Sequence, residues 1–113
     1  MNAEKFAEIV QRGMNESLIT LTEKAKEYSK DNDRLINFKL AGALDNESPE
    51  KALWGMLKKH LVSEGMMISD LEKDIHHGED KWKEKIIDAI NYHYLLLGLL
   101  YERYRWFEHE DLG

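Results

Sequence analysis

An all-α fold of four or five helices is what the sequence predicts, and three observations support it. Apolar residues recur at helical spacing in four segments of the 113-residue chain. One Pro and seven Gly leave little material for the turns of a β-sandwich or barrel. The length suits one domain, so we expect residues 1–113 to form a single helical unit.

The first two helices are predicted from periodicity and from the polar runs that separate them. The first helix is expected over residues 3–28, with a break or bend near residues 13–15, and the polar run 29–33 ends it. A short second helix is expected over residues 35–44, and Asp33 is the predicted N-cap of that helix.

The third helix has the clearest start signal in the chain. Ser48 can cap a helix, Pro49 suits the first helical position, and Glu50 favours the positive end of the helix dipole. This helix is expected to run to about Asp74, and the last helix to cover about residues 81–108.

Composition limits the classes of function. The 22 acids and 16 Lys and Arg give a net charge of −6, which argues against nucleic acid as a partner, because phosphates are held by Lys and Arg. The chain has no Cys, so disulfides, thiolate zinc sites and cysteine nucleophiles are excluded. We find no signal peptide and no apolar run of membrane-spanning length, so we expect a cytoplasmic protein without a membrane partner.

The last helix is apolar nearly all the way around between Ile86 and Tyr101. A helix without a polar face is buried on several sides, so we expect this helix at the centre of the bundle or at a subunit interface. Four helices of this length give a modest core. A homodimer or higher homo-oligomer formed through Leu95, Leu99 and neighbouring aromatic residues is therefore an economical way to bury the last helix.

Asp88 and Asn91 interrupt this apolar stretch on one helix face, and Glu84 stands one turn before Asp88 on the same stripe. Burying a carboxylate without a partner is costly, so Asp88 needs a cation or hydrogen-bond donors. One interpretation is structural: a polar network that fixes helix register, or an ion pair of Asp88 with Arg34 or Lys59. The other interpretation is a Mg²⁺ site, since hard divalent cations take carboxylate and amide oxygens.

The third helix carries a second polar cluster beside its apolar stripe. Within about two turns it brings together a cation, an imidazole, a hydroxyl and a carboxylate, from Lys59, His60, Ser63 and Glu64. Such a set suits a phosphate and a metal ion. It is also typical of a helix edge where charges meet solvent, with His60 as a boundary histidine whose polar atoms are satisfied.

Three segments of the chain carry a resemblance to a known family. They read Tyr28-Ser-Lys-Asp-Asn-Asp-Arg34-Leu-Ile-Asn37-Phe38, Lys59-His60-x-x-Ser63 and Asp88-Ala-Ile-Asn91-Tyr92. Together they resemble a phage-borne family related to the all-α nucleoside triphosphate pyrophosphohydrolases, the MazG and dUTPase-like superfamily. The resemblance covers roughly residues 20–101. It implies a MazG-like helical bundle, commonly dimeric, that binds Mg²⁺ through helix-borne carboxylates and releases pyrophosphate from a nucleoside triphosphate.

The resemblance also implies roles for individual residues. Asp88 would be a metal ligand with Asn91 beside it, and Lys59 and Arg34 would meet phosphates. The candidate catalytic residues are then Asp88 and Glu64, and the candidate Mg²⁺ ligands are Asp88, Glu64 and Glu84. The candidate ligand-binding residues are Tyr28, Arg34, Asn37, Phe38, Lys59, His60 and Asn91, with Tyr28 or Phe38 expected to stack on a base.

Two classes of function stay open at this point. The superfamily signature has Glu-x-x-Glu on one helix and Glu-x-x-Asp on another, whereas here Lys85 stands three before Asp88 and Met67 three after Glu64. The first class is a phage-type nucleoside triphosphate pyrophosphohydrolase or a nucleotide-binding relative. The second class is a non-catalytic phage protein on the same scaffold that binds and inhibits a host protein, for example a defence protein.

Overall fold

The computed structural model describes residues 1–28 and 33–109, with the side chains of residues 25–28, 108 and 109 outside that description. Within these residues the chain forms the helices α1 (Ala3–Tyr28), α2 (Ile36–Leu44), α3 (Pro49–Glu72), α4 (Glu79–Tyr104) and α5 (Trp106–His109). The described residues contain no sheet, so the prediction of an all-α fold is confirmed.

The first helix, α1, runs unbroken from Ala3 to Tyr28, so the break predicted near residues 13–15 does not occur. Gly13 lies within the helix. A glycine in a helix interior costs only about 0.5–1 kcal/mol relative to Ala. That penalty is too small to end a helix whose neighbouring residues on both sides continue it.

The start signal of α3 is confirmed in detail. The backbone N–H of Lys51 donates to Ser48 Oγ over 3.1 Å, and Pro49 occupies the first turn. The N-cap predicted for α2 is wrong, because Leu35 rather than Asp33 is the residue that precedes the helix. Asp33 instead supports the turn before it, where its Oδ1 accepts from the Leu35 N–H over 2.9 Å.

The chain turns earlier at its C-terminal end than the sequence predicts. Arg105 adopts the left-handed conformation at φ 55°, which ends α4 and starts the separate short helix α5. Aromatic contacts hold α5 against the end of α4, since the ring of Tyr101 lies 5.1 Å from that of Trp106 and 4.7 Å from that of Phe107. Local aromatic packing therefore explains why the helix does not continue to about residue 108.

The core forms where α2, α3 and α4 meet. Phe38, Leu53 and Leu99 are its buried centre, one from each helix, and α1 packs on another part of α4. Leu99 is only 3% exposed, and Leu95 packs against the same cluster. The two residues predicted to form a subunit interface thus belong to the core of the single chain, where they have little surface left for a partner. Dimerisation itself stays a prediction.

The opposite side of α4 is not buried, contrary to what its all-round apolar sequence suggests. Ile86, Ile90, Tyr94 and Leu97 follow one another at helical spacing and are each exposed. No helix in the described part of the chain is long and apolar enough to span a membrane.

Candidate functional site

A cavity of about 250 Å³ lies between α1, α4 and the start of α2, with one residue of α3 at its wall. We call it the α1–α4 cavity. It gathers five of the residues that the sequence marks as candidates: Arg34, Asn37, Phe38, Asp88 and Asn91. These residues come from two segments about fifty positions apart in the chain. The fold therefore brings together residues that local periodicity alone does not connect.

Asn91 is the most deeply buried polar residue of this cavity. The residue is 5% exposed, and its Oδ1 accepts a hydrogen bond from Ser17 Oγ of α1. Its Nδ2 is buried and has no hydrogen-bond partner among the described residues. A buried donor left unpaired costs about 1–3 kcal/mol. An acceptor atom on a ligand in the cavity would recover that free energy.

Three charged side chains line the cavity. Lys24 and Arg34 contribute two positive charges and Asp88 one negative charge, in a chain whose net charge is −6. Lys24 Nζ lies 3.9 Å from Asp88 Oδ1, and the Lys24 side chain is 46% exposed while that of Asp88 is 18% exposed. Lys24 therefore stands at the mouth of the cavity, where its ammonium group can reach both Asp88 and a bound anion.

Two aromatic rings form the apolar part of the cavity. The centroids of Phe38 and Tyr92 are 6.4 Å apart, and the rings meet edge to face at 71°. Leu95 adds aliphatic surface beside them. A planar, partly apolar group such as a nucleobase can pack on rings of this kind, because aromatic pairs gain from offset and edge-on contacts.

His60 supports this wall from behind rather than lining the cavity. Its ring lies 5.0 Å from the ring of Tyr92, between centroids, and its Nδ1 is buried without a hydrogen-bond partner in the described part of the chain. The expectation of a boundary histidine with satisfied polar atoms is therefore wrong for Nδ1. Its neighbours on α3, Lys59 and Glu64, do not line the cavity either.

A second depression adjoins the cavity and shares Lys24 and Asp88 with it. Glu84 lies there one helical turn before Asp88, as the sequence predicts. Lys83 also lines it, and the hydrogen bond from Lys83 to Glu79, at 3.1 Å, raises the pKa of that lysine. This depression therefore mixes carboxylates and ammonium groups beside the mouth of the cavity.

The candidate Mg²⁺ ligands are only partly brought together. Glu84 and Asp88 share the second depression, whereas Glu64 lines neither depression. Among residues 1–24 and 33–107 no three His, Asp or Glu side chains are close enough to hold a metal ion. A cation would therefore need ligand atoms from a bound molecule in addition to these carboxylates.

The structure also adds residues that the sequence did not single out. Ser17 and Lys24 of α1 take part in the site, and they lie on one α1 stripe with Leu21. A lysine on an otherwise apolar helix stripe is the signal that could have found Lys24. The side chain of Tyr28, predicted to stack on a base, lies outside the described residues.

Comparisons of the chain with protein-family models, with curated proteins and with solved structures found no match. The resemblance to the pyrophosphohydrolase superfamily therefore stays a prediction.

Proposed function

We propose that the protein binds a nucleotide in the α1–α4 cavity, as a nucleotide-binding relative of the all-α nucleoside triphosphate pyrophosphohydrolases. The observation that carries this proposal is the buried, unpaired Nδ2 of Asn91 in a cavity that also offers cations and aromatic rings. Concave sites that combine apolar walls with a few fixed polar groups are the usual form of small-molecule sites.

Each part of a nucleotide has a matching part of the cavity. The base packs against Phe38 and Tyr92 and accepts a hydrogen bond from Asn91 Nδ2. The phosphates meet Lys24 and Arg34 at the mouth. The volume of about 250 Å³ lies just under the roughly 300–1,000 Å³ of typical ligand pockets, so part of the nucleotide lies outside the cavity, at its mouth.

Mg²⁺ fits this arrangement as a companion of the phosphates. In nucleotide sites Mg²⁺ is usually held by one or two carboxylates together with phosphate oxygens and waters. Glu84 and Asp88 are two such carboxylates, one turn apart and next to Lys24. Bound there, the ion would neutralise phosphate charge and polarise a phosphoryl oxygen. Lys24 and Arg34 would orient the phosphate chain, and release of pyrophosphate is the reaction that the family resemblance implies.

The experiment is titration calorimetry of the wild type with a panel of deoxynucleoside triphosphates and Mg²⁺, with pyrophosphate release followed in parallel. Asn91→Asp keeps the acceptor for Ser17 and replaces the donor Nδ2 by a second oxygen. Asn15→Asp adds the same charge on an exposed part of α1. We expect Asn91→Asp to bind at least about tenfold more weakly, since one lost hydrogen bond to a buried donor is worth about 1.4 kcal/mol.

The matched control, Asn15→Asp, should bind as the wild type does. Absence of binding of every nucleotide to the wild type, or equal affinity of wild type and Asn91→Asp, would contradict the proposal. Circular dichroism of Asn91→Asp checks that the helices are retained.

A second candidate function is favoured by the C-terminal half of α3. Val62, Met66 and Ile68 are exposed apolar residues on that helix. Exposed apolar surface of this kind is suited to a protein partner, as expected for a non-catalytic phage protein that binds and inhibits a host protein. A complex with a host defence protein that Val62→Lys abolishes, together with no nucleotide binding, would favour this candidate. The predicted cytoplasmic location goes with both proposals.

A further inference from the structure

Arg34 lies at the boundary between two concave surfaces of the molecule. It lines the α1–α4 cavity, and it also lines a neighbouring groove whose walls include Thr22, Leu35, Tyr94 and Gly98, which the cavity does not share. We call this second surface the outer groove. The direction in which the chain holds Arg34 therefore decides which of the two surfaces receives its positive charge.

The turn that carries Arg34 is held from both sides. The N–H of Leu35 donates to Asp33 Oδ1 over 2.9 Å, so this hydrogen bond spans Arg34, and the N–H of Ile36 donates to the carbonyl oxygen of Asp33 over 3.3 Å. Leu35 packs against the core formed by α2, α3 and α4. The conformation of the turn at Arg34 therefore depends on where Asp33 is held.

Lys39 of α2 holds Asp33 in place. Its Nζ donates to Asp33 Oδ2 over 2.6 Å and to Glu102 Oε1 of α4 over 3.0 Å. We call these three side chains the Lys39 bridge. The hydrogen bond between Lys39 and Asp33 lowers the pKa of the carboxyl and raises the pKa of the ammonium group, so both groups stay charged at neutral pH. The bridge thus ties the turn to α4, the helix that carries Asp88 and Asn91.

Lys39 has no direct access to a ligand, because it lines neither the α1–α4 cavity nor the outer groove. Its local effect on a bound molecule passes through the turn and Arg34. Binding side chains need to be held within about 0.5 Å of their productive geometry by the groups around them. Charge-assisted hydrogen bonds such as those of Lys39 are suited to that task, because they are short and directional.

We propose that Lys39 is a positioning residue of the α1–α4 cavity, which holds the turn between α4 and α2 so that the Arg34 guanidinium serves the cavity and not the outer groove. This inference rests on the proposed function, because the anion that Arg34 meets is the phosphate chain of the nucleotide. It deepens that function by naming a bridge outside the cavity that sets the affinity of the site.

The first test compares two lysines by titration calorimetry with deoxynucleoside triphosphates. Lys39→Gln breaks the bridge, and Lys51→Gln removes the same charge from a 3.8 Å ion pair with Glu47 on α3. We expect binding at least about threefold weaker for Lys39→Gln, as for residues whose effects are coupled, and no change for Lys51→Gln. Lys39→Arg keeps the charge and can donate to both carboxylates, so it should bind as the wild type does.

A double-variant cycle separates positioning from a general effect of charge. If Lys39 acts through Arg34, Lys39→Gln should weaken binding in the wild type and have no further effect in Arg34→Gln. An effect of the lysine charge at long range would persist in both backgrounds. Wild-type affinity of Lys39→Gln, or the same fold-loss with and without Arg34, would overturn the proposal.

NMR relaxation of the Arg34 Nε–Hε group in the ligand-free protein tests the positioning role separately from nucleotide binding. Its signal should shift and become more mobile in Lys39→Gln, return to the wild-type behaviour in Lys39→Arg, and stay unchanged in Lys51→Gln. Glu102→Ala, at a side chain that is 51% exposed, breaks the bridge at its α4 end and should act in the same direction if Lys39→Gln does not fold.

The outcomes of these measurements are distinguishable. An unchanged Arg34 signal in Lys39→Gln and Glu102→Ala would overturn the positioning role, even if the wild type binds a nucleotide. Failure of the wild type to bind any nucleotide would contradict the proposed function, whatever the Arg34 signal does.

Discussion

Two regions of the molecule use the same amphipathic pattern with different outcomes. In α2, α3 and α4 the apolar stripes meet one another, and Leu53 and Leu57 become fully buried. In the first half of α1 a stripe of the same period, from Phe6 to Met14, stays exposed. Periodicity therefore indicates which side of a helix is apolar. Whether that side is covered depends on where the chain places the next helix, which is a long-range property.

The largest expected effect contrasts the two regions by truncating one apolar side chain in each. Leu53→Ala should lower the free energy of unfolding by about 2–5 kcal/mol, because it leaves a cavity in the core that the neighbouring helices cannot fully close. Ile9→Ala in the first half of α1 should change it by less than about 0.5 kcal/mol, since Ile9 is 51% exposed. Urea unfolding followed by circular dichroism measures both. Similar losses for the two variants would remove the contrast between the regions.

Two glycines should respond to the same substitution with opposite sign. A Cβ on Gly42 would lie 2.7 Å from the carbonyl oxygen of Glu47 and 2.9 Å from that of Ser48. Because both neighbours are backbone atoms, Gly42→Ala should destabilise the protein by about 1–3 kcal/mol. A Cβ on Gly13 of α1 meets no atom within 4 Å, so Gly13→Ala should stabilise it by about 0.5–1 kcal/mol.

Thermal melts of the two alanine variants against the wild type decide this prediction. A raised melting temperature for Gly42→Ala would show that the turn after α2 yields easily. A lowered melting temperature for Gly13→Ala would show that a surface from outside the single chain packs against α1 at Gly13.

Asp88 lies between the two regions, where α1 meets α4. Its ion pair with Lys24 is 3.9 Å long and the lysine is nearly half exposed, so Asp88→Asn should cost less than about 1 kcal/mol. If Asp88 holds Mg²⁺ beside bound phosphates, the same variant should lose the Mg²⁺-dependent rise in melting temperature that nucleotide gives, because a ligand of the native state stabilises it by mass action. If the melting temperature of Asp88→Asn with nucleotide rose on addition of Mg²⁺ as much as that of the wild type, Asp88 would not be a Mg²⁺ ligand.

The smallest expected effect concerns acid pH and the ion pairs of the packed region. Arg103 donates two 2.7 Å hydrogen bonds to Glu50 and lowers the pKa of that carboxyl, and the hydrogen bond from Lys39 lowers the pKa of Asp33. The stability that these pairs add is present above the ordinary carboxyl pKa and is lost as pH falls through the lowered folded-state value. Melting temperature should therefore decline at acid pH.

Glu50→Gln should make that decline shallower, and Arg103→Gln should do the same because it removes the same pair. The double variant should then behave like either single variant. Additive effects of the two substitutions on the melting curves would show that Glu50 and Arg103 act independently.

Much of the fold follows from local signals, and so does part of the site. The cap at Ser48 depends on three adjacent residues, and the structure confirms it. Asp88 and Asn91 share a face because they are three apart on one helix, and both line the cavity. Short-range chemistry and helical spacing determine these features, so the sequence alone was enough to predict them.

The remaining features depend on contacts that no local pattern carries. Ser17 and Asn91 are 74 positions apart, and their hydrogen bond exists because α1 returns to α4. Lys24 lines the cavity for the same reason, because α1 packs against α4. Glu64 was predicted from its distance to His60 along α3, yet it lines neither depression. Spacing along one helix predicts which residues share a face of that helix, but it does not predict which other helix packs against that face.

The measurement that tests the nucleotide-binding proposal most directly compares two lysines by titration calorimetry. Lys24→Gln and Lys59→Gln each remove one positive charge from a chain of net charge −6, so the two variants carry the same net charge. Of these two lysines, only Lys24 lines the cavity. For the nucleotide that binds the wild type, Lys24→Gln should weaken binding by about tenfold, which corresponds to about 1.4 kcal/mol, and Lys59→Gln should leave it unchanged. Equal affinities for all three proteins, or a loss confined to Lys59→Gln, would contradict the account.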